Sequence, residues 1–143
     1  MSTKKLAITV TIAVLGLILT ATTTSVLGSP KGNSGVTGRN LDIFADSKGA
    51  TSCTNISWGN VNANSSITKT VYVKNPNTYK LTLTIAVSNW TPEEAKYTLS
   101  VISDKNSYAL PPGKIVPVVL TLTVGNTVAL TDFDCIIAFS GTQ

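Results

Sequence analysis

Alternation of apolar and polar residues is the strongest signal in this chain, and it is clearest from Leu81 to Ser88. Leu81, Leu83, Ile85 and Val87 alternate there with Thr82, Thr84, Ala86 and Ser88. A period of two places one set on a buried sheet face and the other in water. Lys114–Val124 repeats the pattern with Val116, Val118, Leu120, Leu122 and Val124 inward, and Phe133–Ser140 does so with Phe133, Cys135, Ile137 and Phe139. Pro117 has no N–H to give a ladder, so the start of its strand is expected at an edge or bulge. Shorter runs predict strands over Cys53–Trp58, Ser66–Lys74 and Tyr97–Ile102, and a first strand over Asn40–Ala45 with Leu41 and Ile43 on one face.

Turn residues separate these runs: Ser47-Lys48-Gly49, Gly59-Asn60, Asn75-Pro76-Asn77, Asp104–Tyr108 and Pro111-Pro112-Gly113. Asn89–Lys96 breaks the alternation. Thr91 as cap, Pro92 at the first position and Glu94 three residues after Thr91 predict one capped helical turn. Pro30, Gly32, Asn33, Ser34, Gly35 and Gly38 predict a flexible leader ahead of the first strand. Seven short strands at this spacing predict an all-β fold, a single seven-stranded immunoglobulin-like antiparallel β-sandwich.

A different pattern precedes it. Lys4 and Lys5 stand before an apolar run from Leu6 to Leu19, after which Thr20, Thr22, Thr23, Thr24 and Ser25 appear. A basic start, an apolar stretch and small residues at Val26-Leu27-Gly28 are the parts of a secretory signal helix, with cleavage expected after Gly28. Two other readings use the same residues. Leu6–Leu27 is long enough to cross a bilayer as a retained anchor, and a prepilin-type cut beside Lys5 would leave the apolar helix to pack in a filament core. The organisation expected is therefore 1–28 as signal peptide or anchor, 29–47 as leader and candidate donor strand, and 48–143 as sandwich.

Composition narrows the chemistry. The chain contains no histidine and two cysteines, which removes Ser-His-Asp and Cys-His nucleophile systems and closed thiolate zinc sites. Charged residues make up only 13% of the chain, and loss of Lys4 and Lys5 with the signal lowers the formal charge of +4 by two. No basic cluster is interleaved with aromatics, so nucleic-acid binding is not expected. Neither a catalytic site nor a cofactor is expected. Glu93 and Glu94 fall in a first helical turn, where negative charge is favoured. Asp132 and Asp134 flank a strand entry.

In an exported sandwich Cys53 and Cys135 are expected to form a disulfide that closes a long loop; separate buried thiols or an intermolecular cysteine are the alternatives. Cys53 is out of phase with Ile56 and Trp58, so a bulge or a position ahead of the strand is needed for that bond. Asn55-Ile56-Ser57, Asn64-Ser65-Ser66 and Asn89-Trp90-Thr91 are N-glycosylation sequons, with Asn64 best placed in a turn. Lys69 shares the parity of Val71 and Val73, so its stem is expected to snorkel.

Ser57-Trp58-Gly59, the run Ser66–Asn75, Asn89-Trp90-Thr91-Pro92, Leu110-Pro111-Pro112-Gly113 and the closing Phe133–Gly141 together resemble the small secreted Ig-like proteins of archaeal cell surfaces, some of which are subunits of extracellular threads and bundling pili. The resemblance covers most of Cys53–Gly141. It implies an extracellular structural protein whose partner is itself, with an N-terminal donor strand of one subunit filling a groove in the next. Leu41, Ile43 and Ala45 are the inserting side chains expected on that basis. An anchored Ig-like adhesion or accessory module, and a type IV pilin-like subunit, are the alternatives. N-terminal sequencing of protein taken from the cell surface is expected to begin at Ser29. A start near Ala7, or a chain that keeps Leu6–Leu27, would replace the cleaved-signal reading.

Overall fold

A computed structural model describes residues 30–126 and 132–143; the expected signal segment, 1–28, lies outside the described residues. The strands in chain order are β1 (Lys31–Arg39), β2 (Asp42–Phe44), β3 (Asn55–Asn60), β4 (Ser66–Lys74), β5 (Leu81–Thr91), β6 (Leu99–Ser103), β7 (Tyr108–Leu110), β8 (Ile115–Val124) and β9 (Phe133–Thr142). They form two sheets, one of four strands in the order β2-β4-β8-β6 and one of five in the order β3-β1-β9-β5-β7. The fold is all-β.

The core between the sheets follows from period two. In β8, Val116, Val118, Leu120, Leu122 and Val124 are buried, and in β9 Phe133, Cys135, Ile137 and Phe139 are. From β5 only Leu81 and Leu83 are fully covered; Ile85 and Val87, expected on the same buried face, are half-buried midway along the strand. Val71 and Val73 anchor β4, while Lys69 of the same parity is exposed.

Pro117 sits where a proline can. Its strand pairs with β4 from Ile115 to Thr123, but with β6 only from Leu120 to Val124. The Asp104 carboxylate caps the end of β6 by accepting the Val119 N–H at 2.9 Å. Alternate residues of a strand point their N–H groups the same way, so the donor that Pro117 lacks would face open edge.

The described residues hold nine strands where seven were expected, Lys31–Arg39 and Tyr108–Leu110 being the additional two, and three further expectations are corrected. The leader is not flexible, because Lys31–Arg39 is a full strand in the interior of the five-stranded sheet. Gly32, Gly35 and Gly38 are absent from the positive-φ residues, which are Gly49, Gly59, Gly113 and a few others. Glycine serves in β1 by its smallness and not by its freedom to turn. Nor is the fold purely antiparallel, since β1 runs parallel to β9. Finally, Glu93–Tyr97 does form a helical turn, of 3₁₀ type, but no side chain caps it; Thr91 is already committed to β5, opposite Asp134.

One end of the molecule is closed by asparagines. Asn75 is fully buried. Its Nδ2 donates to the carbonyls of Tyr79 (2.8 Å) and Leu110 (3.1 Å), and its Oδ1 accepts the Asn77 N–H at 2.9 Å. Asn77 in turn donates to the Asn40 carbonyl at 3.0 Å, and Asn40 Nδ2 to the Gly141 carbonyl at 3.1 Å. This network holds the bend where the chain leaves β1 for β2, at Asn40 with φ of 62°. Truncation by Asn75→Ala leaves the buried Leu110 carbonyl and the partly buried Tyr79 carbonyl without these donors. The expected loss is about 1–3 kcal/mol, read as a lower urea midpoint at unchanged m-value; a midpoint equal to wild type would show the network to be dispensable.

Candidate strand slot

The interior position of β1 is the feature from which a function can be built. Gly32 to Arg39 lie in parallel register with Phe133 to Ser140 of β9. On the other side Lys31 to Gly35 pair antiparallel with Asn60 to Asn55 of β3, with a bulge at Gly32/Asn33. Two further backbone bonds extend this seam, Val36 N–H to Thr54 O and Val61 N–H to Pro30 O, both 2.9 Å. Without β1, the facing edges of β3 and β9 would both be bare.

The side chains of β1 add little to this. Gly32, Ser34 and Val36 are the positions that face inward and are buried, so Val36 is the one apolar side chain delivered to the core. Full burial of one valine is worth about 1.5–3 kcal/mol, against two phenylalanines and an isoleucine from the neighbouring β9. The strand is held chiefly by its backbone.

What those small residues do is make room. A Cβ built on Gly32 would lie 2.1 Å from Cζ of the buried Phe133 ring. Ser34, fully buried, accepts a hydrogen bond from Trp58 Nε1 at 2.8 Å, and its Oγ lies 3.0 Å from Cys135 Sγ, where either group can donate. One hydroxyl thus ties the three adjacent strands β3, β1 and β9.

The expected disulfide is absent; both cysteines are free thiols. The reason is the strand between them. Cys135 points inward from β9 against Ser34 of β1, whereas Cys53 lies in the segment that carries the far side of β1, ahead of β3. The Cys53 N–H bonds to the Ile43 carbonyl, and its thiol is directed to the Asn55 carbonyl at 3.7 Å. Burial pushes both thiols above their ordinary value; for Cys135 the Ser34 hydrogen bond opposes this and Asp134 adds to it. Both are therefore protonated at neutral pH, which makes them poor nucleophiles.

The expected donor residues also lie elsewhere than in a free segment. Leu41 and Ile43 are buried in this chain's own core, and Asp42–Phe44 pairs with Lys74–Tyr72 of β4. Ala45 is exposed and inserts nowhere, because the chain turns away at Asp46. The Asp46 carboxylate gathers that turn by accepting the N–H groups of Lys48 and Ala50 at 3.0 Å and Thr51 at 2.8 Å.

The remaining candidates are on the surface. Asn55, Asn64 and Asn89 are all exposed, Asn64 in a turn and Asn89 at a bulge in β5 where φ is 56°. Trp58 is buried, and Trp90 packs half-buried against Phe133 with ring centroids 6.3 Å apart. Glu93 pairs with Lys96 at 3.0 Å, and Asp132 accepts the Lys31 N–H at 3.1 Å. Among the described residues no three His, Cys, Asp or Glu gather as metal ligands, and no helix is long and apolar enough to cross a membrane. No protein-family model and no curated protein matches the chain.

The residues of the slot were missed because Gly and Ser in alternation carry no apolar signature. The one available signal was their parity, with Gly32, Ser34, Val36 and Gly38 two apart.

Two carboxylates give the fold a pH dependence of definite sign. The Asp46 pKa is lowered, first by the Ala50 N–H; desolvation opposes this, and hydrogen bonds from Thr51 and Lys48 add to the lowering. For Asp104 desolvation raises the value, but the Val119 N–H and Lys105 outweigh it and the net shift is downward. A depressed folded pKa contributes stability that is fully present above the ordinary value of 3.8 and is lost as pH falls through the lowered one. Thermal melts from pH 6 down to about pH 2 should therefore show the wild-type advantage over Asp46→Asn and Asp104→Asn shrinking below that value. A difference that does not change with pH would contradict the assignment.

Proposed function

We propose that this chain is an exported structural protein of the cell surface, an immunoglobulin-like β-sandwich that self-assembles into filaments by β-strand addition. The strand added is β1, in place of the 40–45 segment. The observation that carries the reading is the mismatch within β1. Its backbone is bonded on both sides in the middle of a sheet, yet it delivers one apolar side chain. A strand held this way can be exchanged for an identical strand of a second copy with every hydrogen bond remade. The Lys4/Lys5 start and apolar run support export, by a cleaved 1–28 signal. The exposed Asn55, Asn64 and Asn89 support N-linked glycans as the other partners, and the absence of histidine together with the protonated thiols supports a non-enzymatic role.

A second reading has its own observation. The seating of β1 in its own sheet suits a self-contained module, held at the membrane through Leu6–Leu27 and acting in adhesion or as an accessory.

Electron microscopy of the native protein released from the cell surface separates them. The filament reading expects regular filaments with density for Lys31–Arg39 inside a neighbouring subunit, and their loss in a Gly32→Val variant that is still exported. Monodisperse single domains would favour the anchored module and overturn the filament reading.

A further inference from the structure

We infer that the slot between β3 and β9 reads sequence: it accepts the Lys31–Arg39 segment of a second copy through the pattern Gly-x-Ser-x-Val at residues 32, 34 and 36, and in one register only. This rests on the strand-addition reading in taking β1 as removable, and goes beyond it in naming what the slot recognises.

Each inward position has its own test of fit. At residue 32 the Phe133 ring, itself 1% exposed, admits only glycine, since the 2.1 Å approach of a Cβ would fall on the far end of a rigid buried ring. At residue 34 two buried polar groups, Trp58 Nε1 and Cys135 Sγ, converge on one oxygen. A larger side chain finds no space there, and an apolar one leaves the indole N–H unpaired in the core. Residue 36 enters the apolar core. The outward positions read nothing comparable; a Cβ on Gly35 would meet Ile136 only at an ordinary 3.9 Å.

These three requirements fix register. A slip of one residue turns Asn33 and Gly35 inward, putting a branched amide under Phe133 and nothing opposite Trp58. A slip of two keeps the correct face, but then Ser34 lies under the ring and Val36 meets the indole N–H. Other alternating strands of the chain carry bulky residues at the first inward position and fail the same test. Gly38 answers to a different neighbour, as its Cβ would lie 2.6 Å from the Leu41 carbonyl of its own chain. It belongs to the bend from which β1 departs.

Cys135 reports occupancy, because it is 2% exposed beneath a seated β1 and Cys53 is a more accessible internal control. In the full-length Gly32→Val variant the chain's own β1 is refused. Native maleimide labelling of Cys135 is then expected to run at least about tenfold faster than in wild type, a change of about 1.4 kcal/mol in opening. The synthetic peptide KGNSGVTGR should restore protection, whereas the same peptide carrying Gly32→Val or Ser34→Val should not. Equal protection by a scrambled peptide, or a Cys135 that stays protected in the variant without binding peptide, would overturn the inference.

If Gly32→Val fails to fold, the wild-type chain is incubated with fluorescein-labelled KGNSGVTGR and fractionated by size. Incorporation that needs the unaltered sequence supports the inference. No incorporation over a period in which Cys135 is labelled in the same solution refutes it. The outcome is separable from that for the filament: capture without filaments leaves the slot and removes the polymer, and filaments without capture mean that assembly uses another contact.

Discussion

The rest of the structure depends on how closely β1 approaches Phe133 and Trp58. The five-stranded sheet reaches β3 only through β1, since the strand order is β3-β1-β9-β5-β7. That sheet is continuous because Gly32 leaves room for the Phe133 ring and because Ser34 gives Trp58 Nε1 an oxygen. From β1 the chain bends at Asn40 into β2, the edge of the other sheet. The same nine residues thus complete one layer and lead directly into the second. A side chain added at position 32 would unseat β1 from the first layer.

Strand β1 is correspondingly joined to its neighbours through its backbone on both sides. The protein's two thiols are held protonated by burial, and two of its seven acidic residues hold turns: Asp46 the loop after β2 and Asp104 the end of β6. Charged residues are few, and the two ion pairs among the described residues are on the surface. Such pairs contribute little to stability. Close packing at Gly32 and one buried hydroxyl at Ser34 set how β1 sits between β3 and β9.

Much of the fold was legible in the sequence wherever a strand carried bulky residues at every second position. Leu81–Ser88, Lys114–Val124 and Phe133–Ser140 were found in place and with the correct inward residues, apart from the thinner cover over Ile85 and Val87. Ser66–Lys74 was found to the residue. Pro117 signalled an open edge because a missing donor has the same meaning in any sheet. Strand β7 was not legible, since three residues between two turns cannot establish a period. Asn75 read as a turn residue, and nothing local shows that its amide is buried against two distant carbonyls. The capping box failed because Thr91 was claimed by a ladder, a tertiary choice that outweighs a local one. The disulfide failed for a topological reason: a strand that the sequence presented as a loop runs between the two cysteines. Reading Gly32, Gly35 and Gly38 as flexible was the source of the last error.

Native-state hydrogen exchange, resolved by residue, tests most directly whether β1 is a removable strand held by its backbone. The amides of Ser34 to Thr37 are expected to exchange through an opening that leaves β8 and β5 protected, at a free energy below that of global unfolding and only weakly dependent on denaturant. Exchange of those amides solely through global unfolding, with the same denaturant slope as Val118 and Leu120, would mean that β1 is as fixed as the core and would contradict the account.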